Sequence, residues 1–121
     1  MNELDEVAPR VGHAIRSIDA IHVFIDGITR DMYPAILIRR RTVERELKIS
    51  GEALVQATSR DPHIRVRIPD ASVAIGLRHR IIHGYESVDD GVIWDTVVND
   101  LDGLRGQLTA WMDDPVESSG R

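Results

Sequence analysis

Apolar residues recur at alternating spacings of three and four along most of this chain, and this period restricts its fold more than any other feature. Residues three and four apart lie on the same face of an α-helix, so each series describes one buried stripe. The first series predicts a helix from about Ala8 to Ile28, with Pro9 in the first turn, where a missing N–H costs nothing. Its members are Val11, Ile15, Ile18, His22 and Ile25.

The same period returns in three further segments. It predicts a second helix over about Met32–Ser59, and a third that begins at a capping Asp70 or Ser72 and ends near Gly84. A fourth, amphipathic helix is predicted over about Ile93–Trp111. Because no segment has a convincing strand pattern, the chain is predicted to be an all-α, up-and-down bundle of about four helices.

A chain of 121 residues is long enough for one hydrophobic core and short enough to be a single domain. We expect residues 1–114 to form this domain and the polar residues 115–121 to form a flexible tail. Residues 61–69 hold two prolines and are expected to be an extended connector between helices. With 42% apolar but only 4% aromatic residues, the core must be built mainly from Ile, Leu and Val.

Composition also excludes several classes of protein and of functional site. No apolar run approaches the roughly 18 residues of a membrane span, and the acidic start is unlike a signal peptide, so we expect a cytoplasmic protein without a membrane partner. The absence of cysteine excludes thiol catalysis and thiolate metal sites. Since the net charge is −5, contact with a polyanion must rely on local clusters of arginine. The candidates are Arg39–Arg41, Arg65 with Arg67, and Arg78 with Arg80.

The segment Arg78–Tyr85 carries the groups that are most useful for chemistry. It holds a fixed cation in Arg78, an imidazole that titrates near neutral pH in His83, and a phenol in Tyr85. A neutral histidine can take the proton from a ribose 2′-OH, and a protonated one can return it to the leaving oxygen. Arginine can stabilise the charge that grows on the phosphate. This chemistry needs no metal or cofactor, although an Arg and a His this close in a helix are more often surface residues.

The spacing of the two groups raises a geometric question. Arg78 and His83 are five positions apart, which places them about 140° apart around a straight helix. Either the helix loosens at Gly84, or the segments of two copies meet so that one copy's arginine approaches the other's histidine. We favour the second arrangement, which predicts a homodimer or a higher oligomer.

Two other residues are ambiguous. His79 and His83 have the H-x-x-x-H spacing that can bind zinc, but no Glu follows His79 and no third ligand is near, so no metal site is predicted. Glu52 falls near the buried side of the second helix. It is expected either to pair with an arginine structurally, or to orient Arg78 or His83.

The Arg78–Tyr85 segment resembles the R-x4-H-x-Y signature of HEPN-domain ribonucleases, in particular the HepT-like toxins. Three further stretches resemble the same family in the same order, and together they cover roughly residues 41–108. They are Leu47–Ala53, Ile75–Arg78 and Ile93–Leu101. Two positions depart from the family pattern, because His79 stands where a small polar residue is usual and Ser50 where an apolar one is common.

The resemblance implies a HEPN-like helical domain and a metal-independent endoribonuclease toxin. It implies Arg78 and His83 as catalytic residues, with His79, Tyr85 and Glu52 in substrate-binding or supporting roles. It further implies RNA as substrate and a minimal nucleotidyltransferase antitoxin as partner, which transfers AMP to Tyr85. The alternative is a non-catalytic helical module that dimerises and pairs with a nucleotidyltransferase. The acidic pI and His79 favour the module, whereas the intact Arg, His and Tyr favour the enzyme.

Overall fold

The computed structural model describes residues 3–83 and 89–114, with side chains from residue 6 onward. These residues form α-helices and one 3₁₀ turn at Tyr33–Ala35, and they contain no strand, which confirms the all-α prediction. The helices are α1 (Glu3–Ile25), α2 (Leu37–Arg60), α3 (Ile64–Arg67), α4 (Ala71–Ile82), α5 (Asp90–Asn99) and α6 (Leu101–Asp113). The predicted tail, residues 115–121, lies outside the described residues.

The core forms where α1, α2, α4 and α6 meet. Helix α1 packs along the length of α2, while α4 packs on another side of α2 and α6 on another side of α1. The stripe predicted for α1 is largely buried, with Val11 and Ile18 inaccessible and Ile15 partly covered at its edge. His22 lies at the rim instead, where its Nε2 is 3.2 Å from Asp102 Oδ1 on α6.

Two helices begin at positions other than those predicted. Helix α1 begins at Glu3, so Pro9 lies inside it and not in its first turn. Proline cannot donate the backbone hydrogen bond expected there, and nearby the side chain of Arg10 donates from Nη1 to the Glu6 carbonyl at 2.7 Å. Helix α2 begins at Leu37 because the chain first makes the 3₁₀ turn that contains Pro34.

The prediction of an extended connector was wrong. Residues 64–67 form one turn of helix, α3, because Ile64 and Ile68 are both fully buried. These two residues are four apart, and one helical turn directs both of them into the core. Val66, which lies between them in sequence, is 78% exposed.

The predicted fourth helix is divided at Asp100. There the backbone φ is −112°, and Asp100 ends α5 and precedes α6. The apolar series continues through the break, since Val97, Leu101 and Leu104 are all buried. The break lets the two halves meet different neighbours, because α5 packs against the 3₁₀ turn whereas α6 packs along α1.

The predicted N-cap of α4 is confirmed in its position but not in its hydrogen bond. Asp70 is the N-cap residue, yet its side chain makes no capping hydrogen bond. Asp70 instead forms a two-bond clamp with Gln107 of α6, in which the Asp70 N–H donates to Gln107 Oε1 at 3.0 Å and Gln107 Nε2 donates to Asp70 Oδ2 at 2.9 Å. The clamp ties the beginning of α4 to α6 and so helps to fix the direction in which α4 leaves the core.

A bidentate pair joins α1 to α6 at the surface. Arg105 donates from Nε and Nη2 to the two carboxylate oxygens of Asp19, at 2.6 and 3.1 Å. These hydrogen bonds hold the pKa of Asp19 below its ordinary value. No helix within the described part of the chain combines the length and the apolar character that a membrane crossing requires.

Candidate active site

Arg78 is placed by the close approach of α4 to α2 at a glycine. A Cβ on Gly51 would collide with the Cβ of Arg78 and lie 2.8 Å from the Ala74 carbonyl oxygen. Any side chain at position 51 would therefore push the two helices apart, so Gly51 permits the close packing of α4 on α2. The neighbouring Ser50 is fully buried, and its hydroxyl donates to the Leu47 carbonyl at 3.1 Å within its own helix.

Glu52 holds the guanidinium of Arg78. Its Oε2 lies 2.7 Å from Arg78 Nη2, and its Oε1 accepts a hydrogen bond from Gln56 Nε2 at 3.2 Å. Gln56 Oε1 in turn accepts from Arg60 Nη1 at 2.9 Å, and Arg60 Nε lies 3.5 Å from Glu6 Oε2. A series of polar contacts thus connects α1 to Arg78 by way of α2. It restrains the Glu52 carboxylate through the oxygen that does not contact Arg78.

The contact between Glu52 and Arg78 leaves hydrogen-bonding capacity unused. It is an ion pair by distance but not an aligned hydrogen bond. Glu52 Oε2 and Arg78 Nε are buried, and neither has a hydrogen-bond partner among the described residues. The Arg78 side chain is 26% exposed, so part of it faces solvent. A guanidinium carries five N–H donors, and one that is anchored at a single point can still present others to a phosphate.

His79 and His83 lie together on another side of α4. Their ring centroids are 4.1 Å apart and the ring planes meet at 61°, an edge contact between two exposed side chains. The backbone N–H of His83 still bonds to the His79 carbonyl at 3.1 Å, so the helical path continues to that residue. The two imidazoles share one face, as their four-residue spacing predicts.

The two predicted catalytic residues therefore occupy different sides of one regular helix. Arg78 faces α2, whereas His83 packs against His79. The loosening that was considered at Gly84 is not seen as far as His83, and Gly84 itself lies outside the described residues. Tyr85 also lies outside them, so its exposure and its place relative to Arg78 stay predictions.

A groove of about 640 Å³ opens beside Arg78, between α1, α2 and α4; we refer to it as the α1–α2–α4 groove. Its apolar lining comes from all three helices, and its polar lining includes cations from each of them. The apolar residues are Pro9, Ile49, Ala53 and Ile82, and the cations are Arg10, Lys48 and Arg78. His13, Glu52 and Gln56 complete the described lining.

The groove brings in residues that the sequence did not single out for function. Arg10, His13 and Lys48 belong to two helices whose pairing register cannot be read from a hydrophobic pattern. The identity of each residue is visible in the sequence, but only the fold brings the three together beside Arg78.

The other arginine clusters serve mainly the fold. Arg39 donates from Nη1 to the Phe24 carbonyl at 2.5 Å, and Arg40 donates to the Pro34 carbonyl at 2.7 Å. Both close the connection between α1 and α2, whereas Arg41 is 69% exposed. Arg67 donates to the Asp114 carbonyl at 2.6 Å. Among the described residues, no group of three or more His, Asp or Glu side chains is placed to hold a metal ion.

Comparison with known proteins supports the resemblance. The family model described as Ribonuclease HepT-like matches residues 14–110. A protein of Thermococcus cleftensis that is provisionally named as ribonuclease HepT is 32% identical over 88 residues, which cover 69% of this chain and 79% of that protein. A protein of Caldanaerobacter subterraneus subsp. tengcongensis, provisionally named as an RNase, is 24% identical over 100 residues, 83% of this chain and 88% of that protein.

No solved structure matches the chain at a significant level. The matched family segment extends from the middle of α1 to the last turn of α6, and so includes Glu52, Arg78, His79 and His83. The predicted family is thereby confirmed, and with it the class of enzyme. The chain belongs to the HepT-like ribonuclease family.

Proposed function

We propose that the chain is a metal-independent endoribonuclease toxin in which Arg78 binds the phosphate and His83 transfers the proton. The observation that supports this most directly is the anchored guanidinium of Arg78. Glu52 holds it at 2.7 Å, its side chain is 26% exposed, and it lines an open groove. Anchored donors of this kind stabilise charge that develops on a transferring phosphoryl group.

The proposed reaction is an internal displacement. Neutral His83 takes the proton from a ribose 2′-OH, and the resulting oxygen attacks the adjacent phosphorus. The bond from phosphorus to the 5′-oxygen breaks, and that oxygen receives a proton from a protonated imidazole. The products are a 2′,3′-cyclic phosphate and a 5′-hydroxyl, with no net gain or loss of protons. Arg78 neutralises part of the extra charge on the phosphate oxygens as the new bond forms.

The test is cleavage of RNA by the purified chain in the presence of EDTA. We expect internal cuts that leave 2′,3′-cyclic phosphate ends, and we expect His83→Ala to reduce the rate by about 10²–10⁴-fold, the usual contribution of a general acid–base group. His63→Ala is the matched control, because the His63 side chain is exposed on the α2–α3 connection and the bonds described for this residue are made by its backbone. Its N–H donates to Asp61, and its carbonyl accepts from the N–H groups of Val66 and Arg67. Equal rates for the two variants would exclude His83 as the proton-transfer group.

The second candidate function is a binding module that does not cut RNA. The observation that favours it is the edge contact of His79 with His83, at 4.1 Å, because a bulky ring stands where the family usually has a small polar residue. His79→Asn distinguishes the two candidates. If the chain is an enzyme, both forms cleave RNA. If the native chain binds RNA without cutting it and His79→Asn cuts it, the native chain is the module and His79 is the reason.

We further propose a minimal nucleotidyltransferase as the antitoxin partner, in the cytoplasm, with Tyr85 as the residue that receives AMP. The support is family membership together with the sequence position of Tyr85, two residues after His83. An AMP group there would add an anion close in sequence to the proposed phosphate site. Co-expression of the two proteins is expected to add the mass of one or more AMP units to this chain, as measured by intact-mass spectrometry. Tyr85→Phe is expected to lose the added mass, and neutralisation without any added mass would contradict the mechanism.

A further inference from the structure

We propose that the α1–α2–α4 groove binds a nucleotide of single-stranded RNA adjacent to the cleaved phosphate. In this arrangement Arg10 and Lys48 contact a neighbouring phosphate and the apolar lining supports the base. The proposal rests on the proposed function, since it takes Arg78 as the residue that binds the cleaved phosphate. It adds the residues that position the strand on one side of that phosphate.

The charge of the groove is the first argument. The whole chain has a net charge of −5, yet the groove presents Arg10, Lys48 and Arg78 against the single carboxylate of Glu52. Glu52 is already paired with Arg78, so the charges of Arg10 and Lys48 are not balanced within the described lining. A local excess of positive charge on an acidic protein indicates a polyanionic ligand at this place.

The second argument concerns the hydrogen bonds and the exposure of Arg10 and Lys48. Arg10 donates one N–H of Nη1 to the Glu6 carbonyl at 2.7 Å, which holds its guanidinium at the rim and leaves its other donors available. The Glu6 carboxylate, which could compete for Arg10, lies 3.5 Å from Arg60 Nε instead. Lys48 is exposed on α2, one helical turn before Glu52, so its ammonium lies on the same side of α2 as the anchor of Arg78.

The shape and lining of the groove are the third argument. Its volume of about 640 Å³ lies within the roughly 300–1,000 Å³ of sites that hold small molecules, which is enough for a nucleotide. Pro9, Ile49 and Ala53 give it an apolar surface against which the face of a base can pack. The imidazole of His13 adds a flat ring, and proteins stack unpaired RNA bases on such rings. An aliphatic surface contacts the face of a base and makes no hydrogen bonds to its edges. Binding should therefore be similar for RNAs of different sequence.

The test measures binding separately from cleavage. The probe is a fluorescein-labelled RNA of mixed sequence in which every ribose is 2′-O-methylated, so that no 2′-OH can attack. Fluorescence anisotropy at several salt concentrations compares the native chain with the double variant Arg10→Gln, Lys48→Gln. The matched control is Arg16→Gln, Arg30→Gln, which removes the same charge from two exposed arginines outside the groove lining.

We expect the groove variant to bind the probe at least about tenfold more weakly than the control variant. Removing two phosphate contacts should also reduce the slope of log Kd against log salt by about 1.4, because each contact to a single strand contributes about 0.7. A neutral change of the apolar surface, Ile49→Asn, should weaken binding without changing that slope. Its control is Ile38→Asn, a 73% exposed residue of α2 outside the groove.

The outcomes separate this proposal from the proposed function. If the groove variant binds and cleaves RNA as the control does, the groove proposal is overturned while the ribonuclease proposal stands. If the native chain binds the probe through the groove but does not cut unmodified RNA, the groove proposal stands and the catalytic proposal fails. If the groove variant instead lowers the molar mass in light scattering, the groove holds a second copy of the chain, and the RNA proposal is overturned.

Discussion

At the scale of single residues, Glu52 determines where the guanidinium of Arg78 lies. The sequence left open whether Glu52 would pair with an arginine structurally or orient a residue of the motif, because a hydrophobic pattern does not say which helices face each other. The structure shows that its partner is Arg78, at 2.7 Å, and that Gln56 holds its other oxygen. We therefore treat Glu52 as a positioning residue for the proposed phosphate contact.

Glu52→Gln should show this role in the kinetics. The amide keeps the size of the side chain and an oxygen for Gln56 but loses the charge that holds Arg78. We expect kcat for RNA cleavage to fall about tenfold, equivalent to about 1.4 kcal/mol of transition-state stabilisation, with a smaller change in KM. Glu44→Gln is the control, since the 3.7 Å partner of Glu44 is the exposed Arg41. An unchanged kcat at equal urea stability would show that Arg78 is placed without Glu52.

At the scale of helices, the site depends on how closely α4 can approach α2. Gly51 allows the approach, because an added Cβ would collide with the Arg78 Cβ and lie 2.8 Å from the Ala74 carbonyl. Gly76 on α4 provides a matched comparison, since a Cβ added there meets no atom within 4 Å. Gly51 is required by the packing of α4 on α2, whereas Gly76 only lowers the stability of α4 relative to alanine.

Gly51→Ala is expected to destabilise the fold by about 1–3 kcal/mol, the usual cost of overpacking, and to reduce RNA cleavage by moving Arg78 away from Glu52. Gly76→Ala is expected to stabilise the fold by up to about 1 kcal/mol, since alanine is the better helix former, and to leave cleavage unchanged. Urea unfolding and a cleavage assay on the same preparations measure both effects. Equal stability changes in the two variants would contradict the packing account of Gly51.

The helices also show which parts of the fold could be predicted from sequence. The stripe on α1 and the helical character of α2 and α4 follow from a period of three to four residues, which local sequence contains. The turn of helix at α3 and the break at Asp100 do not follow from local sequence, because they depend on neighbours that are distant in sequence. Ile64 and Ile68 point into a core that other helices build, and α5 and α6 separate because each packs on a different partner.

At the scale of the whole molecule, the question is how Arg78 and His83 act on one phosphate. The sequence predicted that they diverge by about 140° on a straight helix. The structure agrees, since Arg78 faces α2 while His83 packs against His79, and the helix stays regular up to Ile82. A second copy of the chain that brings its own His83 to this Arg78 would place both groups on one phosphate.

A symmetric dimer with shared sites makes a specific prediction for mixed variants. Arg78→Ala and His83→Ala should each be inactive alone, because every site in either homodimer lacks one of the two groups. In a mixed dimer, one of the two sites combines the intact Arg78 of one copy with the intact His83 of the other. Co-expressed and co-purified variants, with a different affinity tag on each copy, should therefore recover up to about half the native rate per dimer, since the two sites are equivalent. An inactive mixed dimer of native mass, in which both variants are folded, would show that each site takes both groups from one copy.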